Sequence, residues 1–261
     1  MRNAVAIARK ELNIYFATPV AYAVFTAFII SGSYFFLRLL GNYELISMQY
    51  MRFNNPELMN RLNFQDVIFR GLFGNLGVLL IFIIPALTMR LMAEEKKQKT
   101  IELLFTTPLT SWDIILGKYL GALVILFITL ACTLIYPLLV QHVANGANGV
   151  EWRAIWLSYA GLFLLGAGYV AIGLFISTLT ESQIVAFMAT MFVLLMSWII
   201  GWSAQETEGW GREVLTALSA VSHLDSFSRG VVELKDVVYF LSVIVLGLVA
   251  SNRAVEAHRW S

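Results

Sequence analysis

Six long apolar runs divide the chain, and none of them contains Asp, Glu, Lys, Arg or His. They are Pro19–Leu37, Leu72–Met89, Tyr119–Val140, Ala154–Leu179, Gln183–Trp202 and Val237–Ser251. A helix needs about 20 mostly apolar residues to cross roughly 30 Å of hydrocarbon. Five runs meet that length. The sixth is several ångströms short, but a hydrophilic tail from Asn252 to Ser261 follows it directly, and bilayer thinning or burial against neighbours tolerates such a mismatch. Because lipid offers no partner for a free backbone donor, each run is predicted to be helical. The expected fold class is therefore all-α: a polytopic membrane protein with six transmembrane helices.

Hydrophobic residues make up 59% of the chain and charged residues 13%. That is about half the charge of a soluble domain, too little to cover a water-exposed surface. No polar or Pro-rich linker marks a boundary, so residues 1–261 read as a single transmembrane domain. Net charge near +1 and the lack of a basic, aromatic-interleaved patch give no reason to expect nucleic acid. The one cysteine, Cys132, lies in an apolar run and reads as a small buried hydrophobe. One cysteine and three scattered histidines build neither a disulfide framework nor a metal site, and no cofactor is implied.

The ends of the runs carry more information. Asn3–Phe16 projects as an amphipathic helix, so residues 1–18 are expected to lie in the lipid headgroup layer. Ala4, Val5, Ala8, Leu12, Tyr15 and Phe16 share its apolar side, where Glu11 also falls. Either a partner surface or a snorkelling side chain explains that glutamate. Six spans put both termini on one side, and the positive-inside rule assigns that side to the cytoplasm. Ten of the 18 Lys and Arg then lie inside, four lysines of them clustered in Met92–Lys118. The expected location is the cell inner (cytoplasmic) membrane, multi-pass, with both termini cytoplasmic.

Two outer segments are large. Gly41–Asp66 is polar and aromatic-rich, and a short helix is expected within it. In 203–236, Val214, Leu215, Leu218, Val221 and Leu224 recur at helical spacing among charges. An interfacial or shallow re-entrant helix is expected within Gly211–Gly230. Val214, Leu218 and Val221 would face the lipid and the charged groups water, and the helix would supply length that the last span lacks.

Charge-free spans argue against a proton- or ion-coupled carrier, which keeps ionisable groups at mid-membrane. There is no intramembrane catalytic set and no G-x-x-x-x-G-K-[ST] phosphate loop, so the chain is not expected to be an enzyme. Energy for any work must come from a partner. Its expected point of entry is the cytoplasmic region 94–118, the densest charge in the chain. Ile101, Leu104 and Phe105 form a short apolar stripe there, and Pro108 ends that helix. Thr110-x-x-Asp113 then reads as the cap of the next helix.

This segment strongly resembles the coupling region of ABC-2 type transporter permeases. The resemblance rests on Glu94 and Glu95, then Thr100, Glu102, Leu103 and Leu104, then Pro108, and finally Ile115, Gly117, Lys118 and Tyr119. Arg9–Leu12 and Thr18–Tyr22 look like the same family. His223–Phe240 is similar to the branch holding gliding-motility permeases and the permease of nitrous-oxide-reductase maturation.

The resemblance implies an exporter permease that pairs with a second copy and with separate ABC ATPase subunits. Glu94, Glu95, Thr100, Ile101, Glu102, Leu104, Phe105 and Pro108 would form the ATPase-coupling site, and the second and fifth spans would line the route. The branch adds an alternative, a transmitter that moves no solute and passes ATPase motion to an auxiliary protein at the outer face. Gly71, Gly74 and Gly77 would serve either a dimer contact or packing within one subunit.

Overall fold

The computed structural model describes residues 2–52, 65–100, 109–143 and 150–259. Among these the protein is helical throughout, and six helices are long and apolar enough to cross a membrane. The elements in chain order are α1 (Arg2–Ala17), α2 (Pro19–Arg52), a π-helical turn (Gln65–Arg70), α3 (Gly71–Thr88) and α4 (Ala93–Lys97). After residues 101–108 come α5 (Ser111–Cys132), α6 (Ile135–Val143), α7 (Trp152–Leu179), α8 (Gln183–Glu206), α9 (Trp210–Leu218), α10 (Ala220–Ser228) and α11 (Leu234–Arg259).

Helix α7 is the centre of the bundle and packs against α3, α5, α8, α10 and α11. Its sequence explains why. Small residues recur along it, and neighbours sit where side chains would otherwise be. A Cβ at Gly161 would stand 2.5 Å from that of Phe227, and one at Gly173 would run into the Thr88 hydroxyl. Without a hydrophobic force between helices in lipid, such close backbone approach is what holds the bundle together.

Several helices outrun the apolar segments that announce them. Helix α2 continues through Arg52, about 50 Å at 1.5 Å per residue, so the first part of Gly41–Asp66 extends the span rather than forming a separate short helix. Leu, Met, Glu, Gln and Arg supply nine of the fifteen residues of Arg38–Arg52, and all are good helix formers. Residues 53–64 lie outside the described residues.

Helix α11 likewise runs from Leu234 to Arg259, where a short span and a tail are expected. Val255 is 1% exposed and Asn252 3% exposed, with Asn252 Nδ2 donating to Glu256 Oε1 at 2.9 Å. The last span therefore needs no added length. The third span, conversely, breaks at Thr133–Leu134. Pro137 has no N–H for the Thr133 carbonyl, and its ring would clash there. The Thr133 hydroxyl bridges the break, 2.7 Å from Leu130 O and 3.0 Å from Tyr159 Oη.

The expected single helix in 211–230 is two helices, parted by extended Ser219, whose hydroxyl accepts from Ser222 N–H at 3.2 Å. Helix α9 buries nothing and exposes Trp210, Val214 and Leu218. Helix α10 instead enters the bundle, burying Ala220, His223, Leu224 and Phe227 against α3, α7 and α8. His223 thus faces protein where water is expected, and Asp225 is half-covered. Both are paired. His223 Nδ1 lies 2.6 Å from Asp236 Oδ1, and Arg70 clamps Asp225 through Nε at 2.8 Å and Nη2 at 2.9 Å. Of the three glycines of the second span, Gly71 packs under Leu39 and Gly77 under Leu224, while Gly74 is open.

Candidate coupling site

Helix α1 does not present its whole apolar side to lipid. It packs along α5 with Ala4, Ala8, Glu11 and Tyr15 buried, while Val5 and Phe16 stay exposed. Two glycines one helical turn apart on α5 make room for it. A Cβ on Gly117 would lie 2.6 Å from that of Ile7 and 2.8 Å from Ala4 O, and one on Gly121 would lie 3.0 Å from that of Glu11. The two backbones come this close because nothing projects between them.

That approach brings Glu11 to Lys118. Lys118 Nζ lies 2.8 Å from Glu11 Oε1 and 3.0 Å from Glu95 Oε1, with the lysine side chain only 2% exposed. Lys10 Nζ stands 3.7 Å from the same Glu95 oxygen. Two carboxylates and two ammoniums thus form a neutral cluster. Such pairing makes burial of the lysine tolerable, since an isolated ion there would cost several kcal/mol. The partner surface that explains Glu11 is Lys118.

The far end of α1 is fixed with equal care. The Tyr15 phenol, buried and pushed well above its ordinary pKa by that burial, donates to Leu87 O at 2.5 Å. The Arg90 guanidinium covers the Tyr15 ring at 4.3 Å and donates to Thr18 Oγ1 at 3.1 Å. Between α3 and α4 the chain turns, leaving helix-end groups that need partners. Ser177 of α7 supplies them. Its Oγ accepts from Met92 N–H and Ala93 N–H, each at 3.1 Å, and donates to Met89 O at 3.1 Å. Lys96 Nζ reaches Thr178 O at 2.6 Å, satisfying a carbonyl at the end of α7.

The described residues on either side of 101–108 form two well-made stops. At the first, Lys99 takes φ +56°, Thr100 N–H bonds Glu95 O at 3.0 Å and Lys99 N–H bonds Lys96 O at 3.0 Å. This paired closure, with a left-handed residue just past the helix, is the Schellman motif. At the second, Thr110 Oγ1 accepts from Asp113 N–H at 3.2 Å while Asp113 Oδ2 accepts from Thr110 N–H at 3.3 Å. This is the capping box that the T-x-x-D spacing predicts.

Of the sequence-derived coupling residues, Glu95 is in the ionic cluster. Thr100 closes the Schellman turn, and Glu94 accepts from Gln98 Nε2 at 3.3 Å near the surface. Ile101, Glu102, Leu104, Phe105 and Pro108 lie outside the described residues. Sequence reasoning missed the parts played by Glu11, Tyr15, Arg90, Gly121 and Ser177. Only Glu11, a charge on an apolar face, gave a signal.

The geometry joins three stretches far apart in sequence: Arg9–Leu12, Glu94–Glu95 and Gly117–Tyr119. Comparison with known proteins gives the family. The model of the ABC-2 family transporter protein matches residues 12–209. The chain is 28% identical over 153 residues to the probable multidrug ABC transporter permease YbhR of Escherichia coli K12, which covers 56% of this chain and 39% of that protein. The same protein of Escherichia coli O157:H7 matches equally. The chain thus aligns with about two fifths of these curated relatives. With six apolar helices and a family match over most of its length, it is a multi-pass membrane protein that belongs to the ABC-2 family of transporter proteins.

Proposed function

We propose that the chain is the membrane permease subunit of an ATP-binding-cassette exporter in the inner membrane, with both termini cytoplasmic. A separate ATPase drives it, and a second permease copy completes the pathway. Family membership supports the permease reading, and likeness to YbhR, a probable multidrug ABC transporter permease, supports export.

The observation that carries the proposal is the pairing of Glu95 with Lys118 at 3.0 Å. These residues flank 101–108, so the segment that docks the ATPase shares one neutral base with α1 and the third span. In this reading Ile101, Leu104 and Phe105 seat in the ATPase, with Glu102 and Pro108 shaping the turn. Displacement of the segment then moves α1, α3 and α5 together.

Leu104→Asp tests it. An unpaired charge buried in a docking surface costs roughly 3–5 kcal/mol. The variant is expected to insert and fold in the membrane yet fail to co-purify with its ATPase subunit. Wild-type recovery of the ATPase would place the docking surface elsewhere.

A further inference from the structure

Helix α9 buries no residue, so its hold on the bundle depends on the end it shares with α10. Carbonyls in the last turn of a helix have no partner within it. Two of those in α9 are met from outside. Tyr239 Oη of α11 donates to Leu218 O at 2.9 Å, and His223 Nε2 of α10 lies 3.1 Å from Ala217 O. The other ring nitrogen, Nδ1, lies 2.6 Å from Asp236 Oδ1 of α11. One imidazole thus stands between α9 and α11.

This pattern fixes a proton count. A neutral imidazole has a single N–H, and here both nitrogens face acceptors. Both contacts are hydrogen bonds only when the His223–Asp236 pair holds two protons, whether on the two nitrogens or on Nε2 and the carboxyl. With one proton the carboxylate keeps it, because the charge-assisted bond is the stronger. Nε2 then turns a lone pair toward Ala217 O. Burial sharpens the difference, with Asp236 0% and His223 7% exposed. A charged ring compensates the buried carboxylate and favours the C-terminal end of α9. It also stacks on the face of Tyr239, with centroids 4.2 Å apart.

The surrounding charges are otherwise engaged or lie at the surface. Lys235 pairs with Glu233, and Arg70 and Arg229 hold Asp225. Arg212 and Glu213 of α9 line the open cavity beside the ring. Helix α3 has no ionisable side chain, α8 has only the exposed Glu206 at its end, and α7 brings Tyr169 near Tyr239.

We infer that His223 and Asp236 form a proton-operated latch that holds α9 to the bundle. Protonation closes it. As pH rises the pair loses one proton, Ala217 O loses its donor, and α9 pivots about the extended Ser219. Histidine is the side chain whose charge changes between about pH 5 and 8. A phenol keeps its proton there, so the Tyr239 bond to Leu218 O stays and the change is confined to Ala217.

The test is the distance between spin labels at Val214→Cys and Leu234→Cys, both exposed positions, in the full-length Cys132→Ser protein in nanodiscs. It is read from about pH 5 to about pH 9, a range that spans histidine titration. A narrow distribution is expected at the acid end. The released fraction should be at least about tenfold larger at the alkaline end, the weight of one charge-assisted bond. Asp236→Asn is expected to stay narrow throughout, because its amide donates to Nδ1 and leaves the one ring proton for Ala217 O. His223→Gln should show no transition. Arg212→Gln and Glu213→Gln, on the exposed helix, should keep the wild-type one. A wild-type distribution that does not change with pH overturns the latch. So does a transition that survives in Asp236→Asn, or one that disappears in Glu213→Gln.

Discussion

Lys118 on α5 holds Glu11 of α1 at 2.8 Å and Glu95 of α4 at 3.0 Å, so one buried ammonium joins three helices. The arrangement is asymmetric in its consequences. Removing the lysine leaves two buried carboxylates with only Lys10 nearby, whereas removing one carboxylate leaves the lysine a partner. Lys118→Met is therefore expected to destabilise the protein by roughly 3–5 kcal/mol. Glu11→Leu added to Lys118→Met should recover part of that loss, because it deletes one orphaned charge. Thermal unfolding of the wild type and these two variants in one detergent checks the order. A double variant no more stable than Lys118→Met would mean that Glu11 is not held by the lysine.

Gly117 sets how near α1 can lie. In Gly117→Ala the new methyl meets Ile7 Cβ and the Ala4 carbonyl, and a backbone atom cannot rotate away. The expected result is overpacking of about 1–3 kcal/mol and partial release of α1. Trypsin cleavage at Arg9 and Lys10 should accelerate, with the rest of the chain protected as before. Unchanged cleavage would show that α1 does not depend on this contact.

Lys99 occupies a left-handed position where a side chain is strained, by roughly 1–2 kcal/mol for an L-residue. Glycine relieves the strain but frees the unfolded chain, at about 0.5–1 kcal/mol. Lys99→Gly should then stabilise slightly, and Lys99→Val should destabilise, since a β-branched residue tolerates this backbone least. Amide exchange at Gln98 and Thr100 reports the turn directly. Slower exchange in the valine variant would contradict this conformation.

Alternation of six spans puts Gln98 and Glu206 on opposite sides of the membrane. Cys132 is exposed rather than buried as its apolar run suggests, so a Cys132→Ser background is used. Single cysteines at these two exposed positions should then label from opposite sides with an impermeant reagent. Gln98 is expected on the cytoplasmic side. Labelling of both from one side would leave an odd number of spans between them no longer tenable.

The six spans were legible because lipid demands an unbroken apolar run, and that signal is local. Their ends were not. Arg38–Arg52 and Asn252–Arg259 are polar enough to read as loop or tail, yet helix propensity carries them on beyond the hydrocarbon. Pro137 carried a readable break in the third run, hidden by the apolarity around it. The capping box at Thr110 was visible because both partners lie within four residues. Glu11 announced that it needed a partner without saying which, because Lys118 is brought to it only by the packing of α1 on α5. Ser177 gave no sign at all, since a serine near a span's end looks the same whether or not it caps another helix. The charges in 211–230 were read as facing water. His223 escaped that rule because Asp236 receives it, and Asp225 because Arg70 does.

Glu11 and Lys118 stand 107 positions apart, and this separation is also an interval of time. At roughly 5–20 residues per second, a ribosome reaches the lysine about 5–20 s after the glutamate. Until then α1 has no site on the bundle, because Gly117 and Gly121 have not been made. The nascent helix must wait at the membrane surface, its glutamate hydrated, while three spans leave the insertion machinery. Docking of α1 therefore follows the synthesis of α5, although α1 is made well before it. A chain arrested before residue 117 would be inserted but unlatched, with Glu11 still facing water.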